Sequence, residues 1–218
     1  MNRLLRLLFI LGVAWPVTLV WLGLNVRHRR RLPLRGPAIV VANHNSHLDI
    51  LVLYTLFPVS RVLRVRPAAA ADYFLTGNRL LAWFSTRLVG IIPVPRGAAS
   101  RQFDPLAGCH EALRRGDILI IFPEGTRGEP EQLSAIKSGV WHLGREHPGV
   151  PIIPVYMHGL GRSMARGQWI PVPFFVDVFV DTPFPWQENR TTFKTDLQAR
   201  FATLQSQATR HSFEAHKP

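Results

Sequence analysis

One cysteine, Cys109, stands in a chain of 218 residues. With no second cysteine, an intramolecular disulfide and a cysteine-based zinc site are both excluded. A reducing, cytosol-facing environment fits that count. Acidic side chains are scarce too: 14 Asp+Glu against 26 Lys+Arg leave a formal net charge of +12, and the sequence pI is near 11.4. Such an excess favours a polyanionic partner, whether nucleic acid, an anionic membrane surface or a phosphorylated substrate, and does not choose among them. Internal repeats and low-complexity tracts are absent as well. What remains is enough hydrophobic residue, 47%, to bury the core of one catalytic-size domain.

Charge is missing altogether from "LLFILGVAWPVTLVWLGLNV", Leu7 to Val26. As a helix this run would reach about 30 Å, the hydrocarbon thickness of a bilayer. Arg3 and Arg6 precede it, and Arg27, Arg29, Arg30 and Arg31 follow. No small-x-small cleavage site precedes "NVRHRRR", so a cleavable signal peptide fits poorly. The run is expected to attach the protein to a membrane. The heavier arginine cluster on its C-terminal side puts the main domain in the cytoplasm, at the inner membrane if the source is bacterial. Pro16 removes a backbone hydrogen bond mid-run, so a bent or interfacial anchor stands beside a spanning one. The four flanking arginines would add affinity for anionic lipid.

Beyond a "LPLRGP" linker, short β-branched runs alternate with helical ones. "AIVVA" (Ala38–Ala42), "RVLRV" (Arg61–Val65), "IIPV", "DILIIF" (Asp117–Phe122), "VPIIPVYM" and "PFFVDVFVD" (Pro173–Asp181) read as strands. "DILVLYTLF", "LLAWFSTRLVG", "PLAGCHEALRRGD", "AIKSGVWHLGREH" and "RTTFKTDLQARFATLQSQATR" read as helices, the third bracketed by Pro105 and Gly116. Alternation of this kind specifies an α/β domain, a mostly parallel sheet flanked by helices, here preceded by the N-terminal hydrophobic membrane-anchoring helix. Pro151 and Pro154 argue for an edge strand, or a wall at the site, in "VPIIPV". "LLAWF", Leu80 to Phe84, serves either as a core-facing helix or as a second membrane contact.

Polar residues concentrate where strands end, which is where α/β sheets place their sites. In "VANHNSHLDI", His44 and Asp49 cannot meet on one continuous helix, because five steps put them roughly 140° apart. A helix beginning at Ser46 leaves His44 in the preceding turn, free to fold back on Asp49, which would fix its tautomer and stabilise its charged form. Ser46-x-x-Asp49 is equally a capping-box variant that needs no catalysis. His47 is a rival base without a similarly placed acid. In "IIFPEGTRG", Glu124 can accept hydroxyl hydrogen bonds, Gly125 permits a tight turn, and Arg127 can grip a phosphate. "GIIPVPR" delivers Arg96 at another strand end.

Taken in order, N-H-x-S-x-x-D, G-x-I-P-V-x-R, F-P-E-G-T-R and V-P-I-I-P-V resemble the four motifs of the glycerolipid acyltransferase family, which includes the 1-acylglycerol-3-phosphate acyltransferases. The likeness covers Ala38 to Met157. Gly128 departs from it, standing where a serine often follows the motif arginine. The resemblance implies an O-acyltransferase that moves a fatty acyl group from acyl-CoA or an acyl carrier protein to a lysophospholipid hydroxyl. The acceptor it implies is 1-acylglycerol-3-phosphate, giving phosphatidic acid; other lysophospholipids or lyso-aminolipids would use the same motifs. It implies His44 as base with Asp49 behind it. Acceptor binding would fall to Arg96, Glu124, Gly125, Thr126, Arg127 and Lys137, the last from "AIKSG". It implies no metal and no cofactor beyond the thioester co-substrate.

No nucleophile of the protein's own is called for, so direct transfer in a ternary complex is expected rather than an acyl-enzyme. Backbone N–H groups of the first motif are candidates for the oxyanion. The chain divides into an anchor with its basic flank (1–31), an acyltransferase domain (32–210) and a tail (211–218). A nucleic-acid module lacks an aromatic-interleaved basic strand or a recognition motif. A lipid acyl hydrolase would need a nucleophile or metal set, and the sequence offers neither.

Overall fold

A computed structural model describes residues 3–46, 48–71, 79–95, 103–125, 134–163 and 175–215. Within them, the β-branched runs form β1 (Leu24–Arg27), β2 (Ala38–Ala42), β3 (Val65–Ala70), β4 (Ile92–Val94), β5 (Ile118–Ile121), β6 (Ile152–His158) and β7 (Val176–Val180). They lie side by side in the order β1-β7-β6-β2-β5-β3-β4. β2 pairs parallel with β5 and β6, β5 with β3, and β3 with β4. β7 is antiparallel to β6, and β1 joins β7 in parallel. The sheet is therefore mostly parallel, as the alternation of elements dictates.

Every residue of β2 and β5 is buried, because helices cover both faces of a parallel sheet. Val40, Ile118 and Ile120 face one layer, which contains α1 (Arg3–Trp21) and α2 (Asp49–Thr55). Ile39, Val41, Leu119 and Ile121 face the other, built by α4 (Ala107–Arg114), α5 (Gly139–Glu146) and α6 (Arg190–Ala215). α3 (Arg79–Trp83), extended by wider π-type turns over Phe84–Val89, lies with α1. Phe9 and Phe84 meet edge to face there, 5.4 Å apart.

α1 is long and apolar enough to cross a membrane, yet one face of it is packed against the domain. Arg6, Ile10, Ala14, Thr18 and Leu22 are completely buried. Steps of four drift by about 40° each on an α-helix, and the π-type turns at Ile10–Ala14 and Val17–Trp21 offset that drift and keep the row straight. Arg6 is the unusual member. Its guanidinium donates to Leu63 O, Val65 O and the Tyr54 hydroxyl, and the Tyr54 hydroxyl in turn donates to Val89 O. The other face of α1 stays apolar and exposed, with Leu8 at 59% and Val20 at 84%. Leu80 and Trp83 are exposed beside it.

Three local expectations are corrected. Arg61–Val65 is not a strand: Pro58 starts a helical turn over Val59–Val62, with Arg61 N–H donating to Pro58 O at 2.8 Å, and β3 begins only at Val65. Proline at a helix start costs nothing, since that N–H would be unpaired anyway. β6 is an interior strand despite Pro154. In a parallel pair alternate N–H groups face alternate neighbours; Ile39 N–H donates to Pro151 O, which turns the Pro154 nitrogen toward β7. Pairing with β7 begins only at Val155, so no ladder bond is lost. α6 continues to Ala215, past the expected start of the tail, and His211 on it contacts Arg27. Apart from these, Arg29 donates to Thr55 O, the last carbonyl of α2, and to Leu56 O just beyond it, and Arg31 to Val180 O. These flanking arginines hold the fold together in addition to any role toward lipid.

Candidate active site

β2 and β5 are neighbours, so the segments leaving their C-terminal ends come together: Asn43–Asp49 from one, Phe122–Gly125 from the other. His44 folds back onto Asp49, the first residue of α2. Its Nδ1 lies 2.8 Å from Asp49 Oδ2. The same carboxylate oxygen accepts the backbone N–H groups of Asn45 at 2.7 Å and Ser46 at 3.0 Å. Asp49 is completely buried, and its Oδ1 has no hydrogen-bond partner among the described residues. Ser46 Oγ accepts from Leu48 N–H. The cap and the histidine partner are thus one construction: Asp49 closes the helix start and orients the imidazole together.

With Nδ1 donating to a carboxylate, Nε2 carries the lone pair. The His44 side chain is 20% exposed, and its ring stacks on Phe122, centroids 4.2 Å apart and 21° between planes. A partly open imidazole, with its tautomer fixed from behind and its face against an aromatic wall, has the geometry of a general base.

Glu124 has backbone partners that the sequence does not reveal. It is buried; Oε1 accepts His44 N–H at 3.0 Å and Oε2 accepts Ser134 N–H at 2.9 Å. Both oxygens are engaged by backbone, so Glu124 pins the first motif to the third. The first motif's own N–H groups are also engaged: His44 N by Glu124, and Asn45 N and Ser46 N by Asp49. Those three are therefore not open donors for an oxyanion, and the N–H of His47 lies outside the described residues. Gly125 has φ +69°, and a Cβ there would lie 2.7 Å from Lys137 Nζ. Lys137 N–H donates to Pro123 O, so Lys137 is held directly across the turn. His44, Asp49, Glu124, Gly125 and Lys137 come together; Arg96, Thr126, Arg127 and the rival His47 lie outside the described residues.

Asn43 and Asn45 carry roles the sequence reading missed. Asn43 Nδ2 donates to Met157 O and its Oδ1 accepts Met157 N–H, while Asn45 Nδ2 donates to the same carbonyl. The two amides extend the β2–β6 ladder by side chain and clamp the turn that carries His44. The sequence signal was the pair of amides flanking the histidine. Among the described residues no group of three or more His, Cys, Asp or Glu is placed to hold a metal ion.

A family model described as "Acyltransferase" matches residues 23–158. A chloroplastic 1-acyl-sn-glycerol-3-phosphate acyltransferase of Arabidopsis thaliana is 30% identical over 145 residues, covering 66% of this chain and 38% of that protein. The alpha 1-acyl-sn-glycerol-3-phosphate acyltransferase of Mus musculus is 31% identical over 134 residues, covering 61% of this chain and 44% of its own. The chain thus spans less than half the length of these curated relatives. The crystal structure of the 1-acyl-sn-glycerophosphate acyltransferase PlsC from Thermotoga maritima shares the fold, with a TM-score of 0.73 over 95% of this chain and 81% of that one, at 21% identity.

Proposed function

The chain belongs to the acyltransferase family, and from that premise we propose that it transfers a fatty acyl group from an acyl thioester to the free hydroxyl of a lysophospholipid. The acceptor is 1-acylglycerol-3-phosphate and the product phosphatidic acid. The observation that carries the reading is the His44–Asp49 pair, Nδ1 to Oδ2 at 2.8 Å, held at a strand end beside Lys137. The activities named for the relatives support the acceptor.

The chemistry follows from the pair. An alcohol is a poor nucleophile, so His44 Nε2 takes the hydroxyl proton as the oxygen attacks the thioester carbonyl. Asp49 stabilises the imidazolium that forms, without taking the proton itself. Collapse of the tetrahedral adduct breaks the C–S bond, and the imidazolium returns its proton to the leaving thiolate. Ester and free thiol result, and no residue is acylled on the way. Lys137 holds the acceptor phosphate, with Arg96 and Arg127 completing the cationic set and Thr126 beside them. Glu124 and Gly125 set the turn and the place of Lys137.

Both lipids live in the bilayer, and α1 with Leu80 and Trp83 presents the apolar face that meets it. Because Arg6, Ile10 and Leu22 are buried against the domain, α1 lies along the membrane surface with the catalytic domain on the cytoplasmic side. The test is acyl transfer by the purified full chain in lipid nanodiscs, with a labelled acyl-CoA or acyl carrier protein donor and a panel of lysolipids. One dominant product, phosphatidic acid, is expected. A different dominant product renames the acceptor; free fatty acid without any acceptor dependence refutes acyl transfer.

A further inference from the structure

The cavity that opens beside the site is larger than an acceptor head group requires. It holds about 1050 Å³, at the upper end of the roughly 300–1,000 Å³ that encloses a whole organic ligand. Phe122, Gly125 and Lys137 line it where it meets the catalytic turn, and Phe122 is the ring on which His44 stacks. From there it runs between α4 and α5 over an apolar floor of Ala68, Val94, Ile121 and Val140.

The direction of the trough follows from the chain. α5 starts at the site end of the sheet, where Lys137 N–H bonds Pro123 O, and leads back toward the start of β6. α4 likewise ends at the start of β5, where Asp117 N–H bonds Ala112 O. Each is eight residues long, a path of about 12 Å. At its far end stand Arg114 and Arg145, both lining the cavity.

Counted along that path, Arg114 and Arg145 leave their helices about 9–10 Å beyond the site end, and their guanidinium groups reach back a turn, to Glu111 and to the Trp141 ring, still farther along than the hydroxyl-to-phosphate spacing of one acceptor head group. In 1-acylglycerol-3-phosphate the free hydroxyl and the phosphate sit on adjacent carbons, a few ångströms apart. A ligand that reaches both the base and the arginines carries its reacting group and its phosphate at opposite ends of a long arm. The walls suit a polar arm. His110 and His147 share a hydrogen bond, Nδ1 to Nε2 at 2.9 Å, and His142 lies on the same side. Burial, then His110 and Arg114, hold the His147 pKa below its ordinary value; burial and Arg145 do the same for His142. Both shifts favour the neutral imidazole; His142 then offers one donor and one acceptor to amide groups, while His147 keeps one ring nitrogen, its Nε2 being engaged by His110. Asp104 faces His110 at 3.6 Å, Glu111 faces Arg114 at 3.6 Å and Glu146 faces Arg145 at 3.0 Å. The two arginine pairs are half exposed and so contribute little; Arg114 Nε also donates to His110 O at 3.4 Å and the Arg145 guanidinium lies over the Trp141 ring, 5.3 Å from its centroid, weak contacts that a phosphate would compete with.

The trough also faces away from the membrane. Its floor residues belong to the α4–α5–α6 layer, while the exposed apolar faces of α1 and α3 belong to the opposite layer. A lipid enters from one side of the sheet and a water-borne ligand from the other. We propose that the α4–α5 trough binds the phosphopantetheine arm of the acyl donor, thioester at the Phe122–Gly125 end and phosphate at Arg114 and Arg145. The assignment rests on the acyltransfer reading above.

The arm is common to coenzyme A and to acyl carrier protein, so the test uses both. Initial rates are measured for the full chain in detergent micelles with 1-oleoylglycerol-3-phosphate as acceptor. The donors are oleoyl-CoA, oleoyl-acyl carrier protein and S-oleoyl-pantetheine, the last lacking the phosphate. Arg114→Glu/Arg145→Glu is compared with wild type and with a charge-matched control on α6, Lys194→Glu/Arg210→Glu. The trough variant is expected to lose about tenfold in kcat/KM with a phosphorylated donor, and less than about twofold with S-oleoyl-pantetheine. The acceptor KM stays put, and the control matches wild type. A loss confined to oleoyl-CoA or to the carrier protein names the source of the arm. Equal rates for variant and wild type with both phosphorylated donors, an equal loss with the pantetheine donor, or a raised acceptor KM overturns the trough assignment alone. No acceptor-dependent transfer by wild type with any donor overturns the acyltransfer reading beneath it.

Discussion

His44 Nδ1 sits 2.8 Å from Asp49 Oδ2, and that same oxygen closes the first turn of α2 through two backbone N–H groups. One carboxylate therefore fixes both the helix start and the tautomer of the base. A single substitution separates the two roles. Asp49→Asn keeps a carbonyl oxygen for the backbone while removing the charge that stabilises imidazolium. Its kcat is expected to fall by about 10²–10⁴, with a modest drop in melting temperature by circular dichroism. Ser46→Ala, which deletes the cap to Leu48 N–H, is expected to cost about 0.5–2 kcal/mol of stability with kcat close to wild type. Matched kcat losses in the two variants would mean that the helix start alone matters.

Gly125 and Lys137 make a second testable pair. At φ +69° a side chain is strained, and a Cβ would lie 2.7 Å from Lys137 Nζ. Gly125→Ala should displace the ammonium and raise the acceptor KM by roughly tenfold. Lys137→Ala should act in the same direction, and the double variant should be little worse than Lys137→Ala, because both act on one group. Fully additive effects in the steady-state double-mutant cycle would contradict this.

Arg6 tests whether α1 is a detachable anchor. Its buried guanidinium serves Leu63 O, Val65 O and Tyr54. Arg6→Met leaves those groups without their donor and is expected to lower stability by about 2–4 kcal/mol, read as a melting shift in detergent. Removal of residues 1–23 strips Ile10, Ala14 and Leu22 from the core and should yield an unfolded or aggregated product. A soluble, cooperatively folding truncation would show that α1 is an appendage.

Cys109 is the chain's one thiol, and burial pushes its pKa up to about 12, with the negative charge of Asp104 adding to the effect. A raised thiol pKa means scarce thiolate at neutral pH, hence little nucleophilicity. Iodoacetamide is expected to leave the native protein unmodified by mass spectrometry and fully active. Initial-rate patterns in donor and acceptor should intersect, as direct transfer requires. Parallel lines together with a trapped acyl-thiol at Cys109 would contradict both statements.

The sheet class and the His44–Asp49 pair were readable in the residues because each rests on local order: alternating strands and helices, and a histidine and an acid one turn apart behind a strand. The backbone partners of Glu124 were not legible, because His44 N–H is distant in sequence and Ser134 N–H is invisible as backbone. Pro154 signalled an edge strand because sequence does not reveal which neighbour a proline nitrogen faces. The packed row of α1, from Arg6 to Leu22, was hidden because the opposite face of the helix is apolar too, so no amphipathic contrast appears. Where both faces look alike, only the fold says which one is inside.

The most direct test of the central claim is the turnover of His44→Ala with acceptor and donor both saturating, in nanodiscs, beside the wild type. Loss of the group placed to take the hydroxyl proton should cut kcat by about 10²–10⁴ while the acceptor KM and the melting curve stay near wild type. A kcat within a few-fold of wild type would show that His44 is not the base and that the turn is a helix cap and nothing more.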